Sequence, residues 1–519
     1  MQSLDEVLGS DGPFQRLIEG FTPRLQQRAM AHAVEKAINQ QDTLVCEAGT
    51  GIGKTFAYLV PALLSGKRII VSTGTRNLQD QLFHRDLPLV REALAVGGTV
   101  ALLKGRGNYL CLHRLEQIGS GNGELFSGDL DELQKIQEWA GRTVGGDIAE
   151  VSNVMENAVV WSSVTSTTEN CLGQECGFYD ECHVVNARRG AATADIVVVN
   201  HHLFLADMAL REDGFAEIMP GVDAVIFDEA HQLPDLATHF FGTTVTSRHV
   251  TELARDTLRA AHKEAGDTPG MIDIATGLER TLMAFRNSTS GNERREEWHR
   301  VRDSQTVNAA FSALSEQVVV LAEALEITGE RGAELQNCGR RAATLKAHLE
   351  LFEGAEQETS VRWMEVQRRG FALHHTPVDI AEAFSNRLDH YPSSRIFTSA
   401  TLAVSESLDY FTQRLGLTEV TTHCWGSPFF FQEQSLLYLP EIELEPKDPS
   451  YTAQAVRATV PVLEVSGGRA FLLFTSHRAL HEAHGILKRE NNFALFMQGD
   501  APKHELIKRF RETARAVLL

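Results

Sequence analysis

An α/β fold organised on a parallel sheet is predicted by three features of this sequence. Short apolar runs suited to buried strands recur at 43–47, 68–73, 196–200, 224–228 and 396–399. Helical stretches alternate with them, the first at 55–64. The run at 43–47 enters a glycine-rich turn that opens this helix, the strand–loop–helix order a phosphate-binding loop requires. Strands separated by helices are expected to lie parallel, because each helical crossover returns the chain to the same sheet edge. The pattern is that of a RecA-type domain.

At 519 residues the chain exceeds the size at which one hydrophobic core keeps growing, so several domains are expected. Residues 1–6 are acidic rather than basic and precede no apolar stretch, which argues against a secretory signal. The apolar run 196–199 is far too short to span a bilayer. A cytoplasmic, non-membrane protein is expected, in which seven cysteines are reduced thiols or ligands rather than disulfides. The net charge of −20 weighs against a surface coated in basic residues, yet it leaves room for one basic groove in an otherwise acidic exterior.

From about 236 to 350 glycines thin out and apolar residues recur at helical spacing. Leu314, Val318, Leu321 and Leu325 share one helix face, and Leu345, Leu349 and Phe352 share another, so a helical insertion is expected, with a polar loop at 291–295. Strands return after about 405, most clearly at 470–475, and begin a second α/β domain.

The loop Ala48-Gly49-Thr50-Gly51-Ile52-Gly53-Lys54-Thr55 carries the first chemistry. Its glycines let backbone N–H groups approach phosphate, and the following helix N-terminus favours negative charge. Lys54 is expected to reach the outer phosphates of ATP and Thr55 to bind Mg²⁺. Ala48 stands where stricter loops have glycine. Asp228 and Glu229 follow a buried strand, which places them at the carboxyl edge where α/β sheets bind ligands. Asp228 suits the magnesium shell and Glu229 the polarisation of the attacking water.

Between these motifs stand Cys111, Cys171, Cys176 and Cys182. Four and five residues separate the last three, and the first lies sixty upstream. These intervals differ from the Cys-x-x-Cys pairs of most structural zinc sites. One remote and three grouped thiolates can hold a cubane cluster, but the spacing alone leaves iron–sulfur and zinc both open. Cys46, Cys338 and Cys424 have no such grouping, and Cys46 lies in a predicted core strand.

Asp228-Glu229-Ala230-His231 spells the box of superfamily 2 helicases, and Thr398-Ser399-Ala400-Thr401 is similar to their motif III. With the cysteines between, the chain resembles the XPD/DinG-like iron–sulfur helicases, and within them the bacterial DinG/YoaA type. The segment 21–27 is similar to the family's adenine-reading motif, which implicates Arg24 and Gln27 in nucleotide binding. Residues 71–82 resemble motif Ia, which lies along single-stranded DNA; 198–202 and 427–429 also match family segments.

The resemblance implies RecA-like domain 1 in three pieces, 1–110, 183–235 and 376–404. An iron–sulfur module would occupy 111–182, a helical arch 236–375, and an incomplete second RecA-like domain 405–519. It implies a [4Fe–4S] cluster on the four cysteines, ATP with Mg²⁺, and 5′–3′ movement of a monomer on single-stranded and forked DNA. DNA repair or replication is the implied setting, with proteins of those processes as candidate partners. Family members continue into motifs V and VI, which this chain lacks. An arginine finger contributes about 10³ to 10⁵ in rate, so a truncated chain of weak activity is expected. An ATP-binding DNA sensor without unwinding and a DinG-like nuclease are the alternative functions.

Lys104, Arg106, Tyr109, Phe178, Tyr179, Arg188 and Arg189 combine charge with aromatic rings. They suit either a phosphate-and-base surface or simple packing with solvated charges. His374 and His375 resemble a metal pair, but adjacent residues of a strand face opposite ways.

Overall fold

The computed structural model describes residues 3–519 apart from 120–129, 152, 156–157, 211–220, 290, 355–358, 369, 393, 491 and 502. Part of the expected cysteine module therefore lies outside the described residues. Two compact units are present, Met1–Pro428 and Phe429–Leu519.

The first unit opens with five strands, β1 (Thr43–Ala48), β2 (Ile69–Thr73), β3 (Val100–Leu102), β4 (Ile196–Asn200) and β5 (Ala224–Asp228). An inserted segment supplies β6 (Thr243–Thr246), β7 (Arg294–Glu297), β8 (Ser360–Gln367) and β9 (Gly370–Pro377). Then β10 (Ser394–Ser399) and β11 (Val420–Trp425) return to the first sheet, whose order is β11-β1-β10-β5-β2-β4-β3. All its pairings are parallel. Every residue of β2, β4 and β5 is buried, as a sheet covered on both faces demands.

Alternation along the strands sorts side chains between two cores. Leu44, Cys46 and Ile396 pack on one face with the helices Leu25–Gln40 and Lys54–Leu64. Val45 and Phe397 pack on the other with Phe204, Phe384 and Phe411. Burial pushes the Cys46 thiol up to about 12, so it stays neutral and acts as a small apolar residue. The second unit begins at Phe429 rather than at 405, because β11 is hydrogen-bonded beside β1 from Thr43↔Val420 to Ala48↔Trp425.

The inserted segment carries a four-stranded antiparallel sheet, order β6-β9-β8-β7, which helical periodicity up to 352 gave no sign of. On β8, Arg362, Met364 and Val366 turn inward, whereas Val361 and Gln367 are exposed and Trp363 and Glu365 only partly covered. Against it pack the helices Ser247–Glu264, Pro269–Thr289, Gln305–Thr328 and Ala333–Glu350. Leu314, Val318, Leu321 and Leu325 are buried there, with Phe285, Trp298 and Phe311. Trp298 Nε1 donates to the Phe352 carbonyl at 2.9 Å, satisfying the indole in the core.

Leu110, Leu133, Ile136, Trp139, Val160 and Trp161 form a small separate core around the first cysteine segment. The second unit is a parallel sheet of β12 (Ala470–Phe471), β13 (Ala494–Phe496) and β14 (Ala516–Leu518), with β14 central. The helices Tyr451–Ser466 and His477–Glu490 cover it through Val456, Leu463, Leu480 and Leu487. Among the described residues, no helix is long and apolar enough to cross a membrane.

Candidate functional site

The sheet register brings the phosphate loop and the acidic motif to one edge. Glu47 on β1 stands opposite Ser399 on β10, and Thr398 stands opposite Asp228 on β5. Only β10 separates the two motif-bearing strands, so Lys54-Thr55, Asp228-Glu229 and Ser399 share the carboxyl edge.

Residues 49–53 turn between β1 and the helix that Lys54 opens. Gly53 has φ +85°, the left-handed region, and a Cβ there would lie 2.3 Å from Gln27 Nε2. Only glycine fits such a position. Gln27 Nε2 donates to the Gly53 carbonyl at 3.1 Å, and Arg24 donates to the Gly51 carbonyl. From the other side Ser427 Oγ donates to the Thr50 carbonyl at 2.8 Å, and the Gly49 N–H donates to the Trp425 carbonyl at 2.9 Å. Arg24 and Gln27, expected at the nucleotide, thus brace the loop itself, and Gln27 Oε1 is buried with no hydrogen-bond partner among the described residues. Ile52 is buried beneath the loop and Ala48 closes β1.

Tyr58 joins the two motifs. Its hydroxyl donates to Asp228 Oδ2 at 3.1 Å and also meets the Thr55 hydroxyl. Burial, then the charge of Glu229, raises the Asp228 carboxyl to about 6, against the pull of Tyr58 and Lys54. A buried carboxylate this costly to ionise is poised for a cation. Tyr58 escaped the motif reading, although its position four residues after Lys54 put it on the same helix face.

Glu229 adopts φ +57° and ψ +41°, a left-handed conformation uncommon for a non-glycine residue. Its Oε2 accepts from Ser399 Oγ at 3.4 Å and lies 3.4 Å from His231 Nδ1, while His231 Nδ1 and Ser399 Oγ are 2.8 Å apart. The side chain is 25% exposed, so solvent water can reach it. The structure therefore brings Glu229, His231 and Ser399 together. Glu47 adds a second tie, since its Oε2 accepts the Leu402 and Ala403 N–H groups at 2.6 and 2.7 Å. Backbone donors, a lysine, a hydroxyl and one carboxylate suit a magnesium-bound triphosphate; the second carboxylate suits activation of water.

Cys111, Cys171, Cys176 and Cys182 are free thiols, none of them fully buried or exposed. Burial raises the Cys111 thiol, with Cys171 and Cys176 adding to the rise, and it raises Cys176, with Cys171 and Cys182 adding. Charge on other thiols of the set thus reaches Cys111 and Cys176. Arg106 Nη1 donates to Cys171 Sγ at 2.8 Å, and the Arg188 guanidinium lies near Cys171 and Cys182. Four soft donors with cations alongside fit the chemistry of a thiolate-held cluster, whose net charge is negative. As the side chains stand, no group of three or more His, Cys, Asp or Glu among the described residues is gathered closely enough to hold a metal ion.

Lys104 belongs to neither reading of the basic surface. It is buried, and its Nζ lies 2.8 Å from Asp80 and 2.7 Å from Asp147. Those carboxylates hold its pKa above the ordinary lysine value despite the desolvation that opposes them. Tyr109 is buried too, its hydroxyl accepting the Lys104 N–H at 3.1 Å. Gln79, in the segment likened to motif Ia, donates to the Leu103 and Val198 carbonyls and is also buried. His374 stacks on Trp363 with centroids 3.9 Å apart and shares a hydrogen bond with Thr244 Oγ1.

Burial holds six histidines, His113, His201, His202, His348, His374 and His375, below the usual imidazole value, His201 down to about 3. Unfolded, they would bind protons near 6.5, so below that pH the unfolded chain takes up more protons and the fold loses stability. The raised carboxyls Asp86 and Asp228 act in the opposite direction, Asp228 as pH falls through about 6. With six groups against two, the melting temperature is expected to fall from about pH 7.5 to about pH 5.5. A rise over that interval would show that the carboxyls dominate.

A family model for DEAD/DEAH box helicases matches residues 24–102, from Arg24 through the phosphate loop to β3. The ATP-dependent DNA helicase YoaA of Haemophilus influenzae is 39% identical over 514 residues, covering 99% of this chain and 80% of the relative. The chain belongs to the YoaA/DinG helicase family. The ATP-dependent helicase DinG of Mycobacterium tuberculosis is 29% identical over 547 residues, 96% of this chain and 78% of the relative. Among solved structures, S. tokodaii Xpd4 covers 96% of this chain and 80% of its own at a TM-score of 0.53 and 13% identity, a likeness of fold. The YoaA relative extends beyond the matched stretch, which covers 80% of its length. In this YoaA/DinG-family chain the family match includes Arg24, Gln27 and the whole phosphate loop.

Proposed function

We infer that this chain is an ATP-dependent DNA helicase that translocates 5′ to 3′ on single-stranded DNA and opens forked duplexes. The observation that carries the reading is the convergence of Lys54, Thr55, Asp228 and Glu229 at one sheet edge in a YoaA/DinG-family chain. Lys54 and the 49–53 amides bind the outer phosphates. Thr55 and Asp228 would hold Mg²⁺, which would supply charge neutralisation at the phosphates, with Tyr58 fixing the Asp228 carboxylate. Glu229 orients the attacking water and takes its proton. His231 and Ser399 hold the Glu229 carboxylate, so β10 responds to what happens at the γ-phosphate. Cys111, Cys171, Cys176 and Cys182 would hold a [4Fe–4S] cluster. Bound, it would cross-link two segments sixty residues apart, with Arg106 offsetting its charge.

The test is ATP hydrolysis with and without single-stranded DNA, together with strand separation on forks bearing a 5′ or a 3′ tail. DNA-stimulated turnover and opening of the 5′-tailed fork are expected. Nucleotide binding with no DNA-stimulated turnover would instead support a DNA-sensing protein. Anaerobic purification should yield about four iron and four sulfide per chain. Stoichiometric zinc without sulfide would refute the cluster.

A further inference from the structure

Behind the acidic motif lies a histidine with no part in the scheme above. His201 follows β4 and is wholly buried, with Nδ1 2.7 Å from Ser72 Oγ on β2. Ser72 stands in register with Phe227, the residue before Asp228. The imidazole lies beside the Phe227 ring, centroids 6.3 Å apart, and faces the backbone of Asp228 and Glu229. Its Nε2 is sealed from solvent and has no hydrogen-bond partner of good geometry among the described residues. A buried ring nitrogen without a partner calls for an explanation. The adjoining backbone supplies one, because Glu229 is held in a left-handed turn that a glutamate rarely adopts.

Ser399 and His231 secure the Glu229 carboxylate, but a carboxylate is aimed only as well as its backbone is held. We propose that His201 is the positioning residue for Glu229: oriented by Ser72, its imidazole supports the Asp228–Glu229 backbone in the turn that directs the carboxylate at the attacking water. This rests on the ATP-hydrolysing reading of the site. It also gives β2 a route to the chemistry. Ser72 precedes Thr73 at the strand's end, so a shift there would reach Glu229 through two side chains.

Two substitutions separate the ring nitrogens, since the Asn amide falls near Nδ1 and the Gln amide near Nε2. His201→Gln is expected to keep kcat for DNA-stimulated ATP hydrolysis within about twofold of the parent. His201→Asn should lower it about tenfold at unchanged KM for ATP, the mark of misplaced geometry rather than weakened binding. Ser72→Ala, which deletes one hydroxyl, should lower kcat about threefold with the melting temperature retained. Parental kcat in His201→Asn, or a Gln variant that falls as far as Asn, overturns the proposal. Should His201→Asn fail to fold, Ser72→Ala decides, and parental kcat there overturns it. A parent chain without ATP turnover removes the underlying reading and this one together. A parent that turns over beside unaffected variants removes only this one.

Discussion

Glu229→Gln should bind ATP as the parent does and hydrolyse it about 10² to 10⁴ times more slowly, the usual contribution of a positioned general base. The amide matches the carboxylate in shape and keeps a hydrogen-bonding group beside Ser399 and His231, so the turn at 228–231 should persist. What is lost is the proton acceptor, because a glutamine amide does not take up a proton near neutral pH. Nucleotide affinity from a fluorescent ATP analogue, set against single-turnover hydrolysis, makes the separation. Weakened binding at a parental hydrolysis rate would place Glu229 in the phosphate or metal shell instead. Lys54→Ala serves as the contrast, since it removes a phosphate contact and should lose affinity as well as rate.

Lys104→Ala should destabilise the first unit by about 3–5 kcal/mol, the range for breaking a buried ion pair by removing one partner. The Lys104 side chain is 4% exposed and lies between Asp80 and Asp147, so alanine leaves two partly buried carboxylates facing each other. Lys104→Met with Asp80→Asn and Asp147→Asn removes the charges together and should recover much of the loss, because the desolvation penalty goes with them. Denaturant melts of the three proteins measure the difference. A Lys104→Ala protein as stable as the parent, yet weakened for single-stranded DNA, would restore the phosphate-holding role that its sequence neighbours suggested.

Lys104 also shows where legibility ended. The loop 48–55 and the strand ending at Asp228 were readable because a short local pattern, glycines before Lys-Thr or a carboxylate after apolar residues, determines their backbone. Lys104 sits in a basic string whose appearance gives no clue that Asp80 and Asp147 come from both sides to bury it. Long-range pairing hid β11 in the same way, since nothing local in 420–425 marks β1 as its neighbour. The sheet of β6 to β9 was hidden by the helices within the same segment, whose stronger periodicity set the expectation for all of it. The sequence places Gln27 beside the phosphate loop, but its bond to the Gly53 carbonyl depends on a loop turn that no local pattern around 27 encodes. His201 lay inside a segment noted only for its likeness, because a buried side-chain bond to Ser72 leaves no trace in composition or spacing.

The Glu47 tie to Leu402 and Ala403 spans 355 positions of sequence. A ribosome must therefore make nearly four hundred residues before β10 can slot between β1 and β5 and complete the sheet edge. The inserted segments, whose contacts are local by comparison, can fold first and wait. During synthesis β1 and β5 are exposed edges with an apolar gap between them, the state most open to mispairing. Slowing translation after codon 400, or supplying a chaperone at that stage, should therefore raise the yield of folded chain more than the same intervention at codon 240.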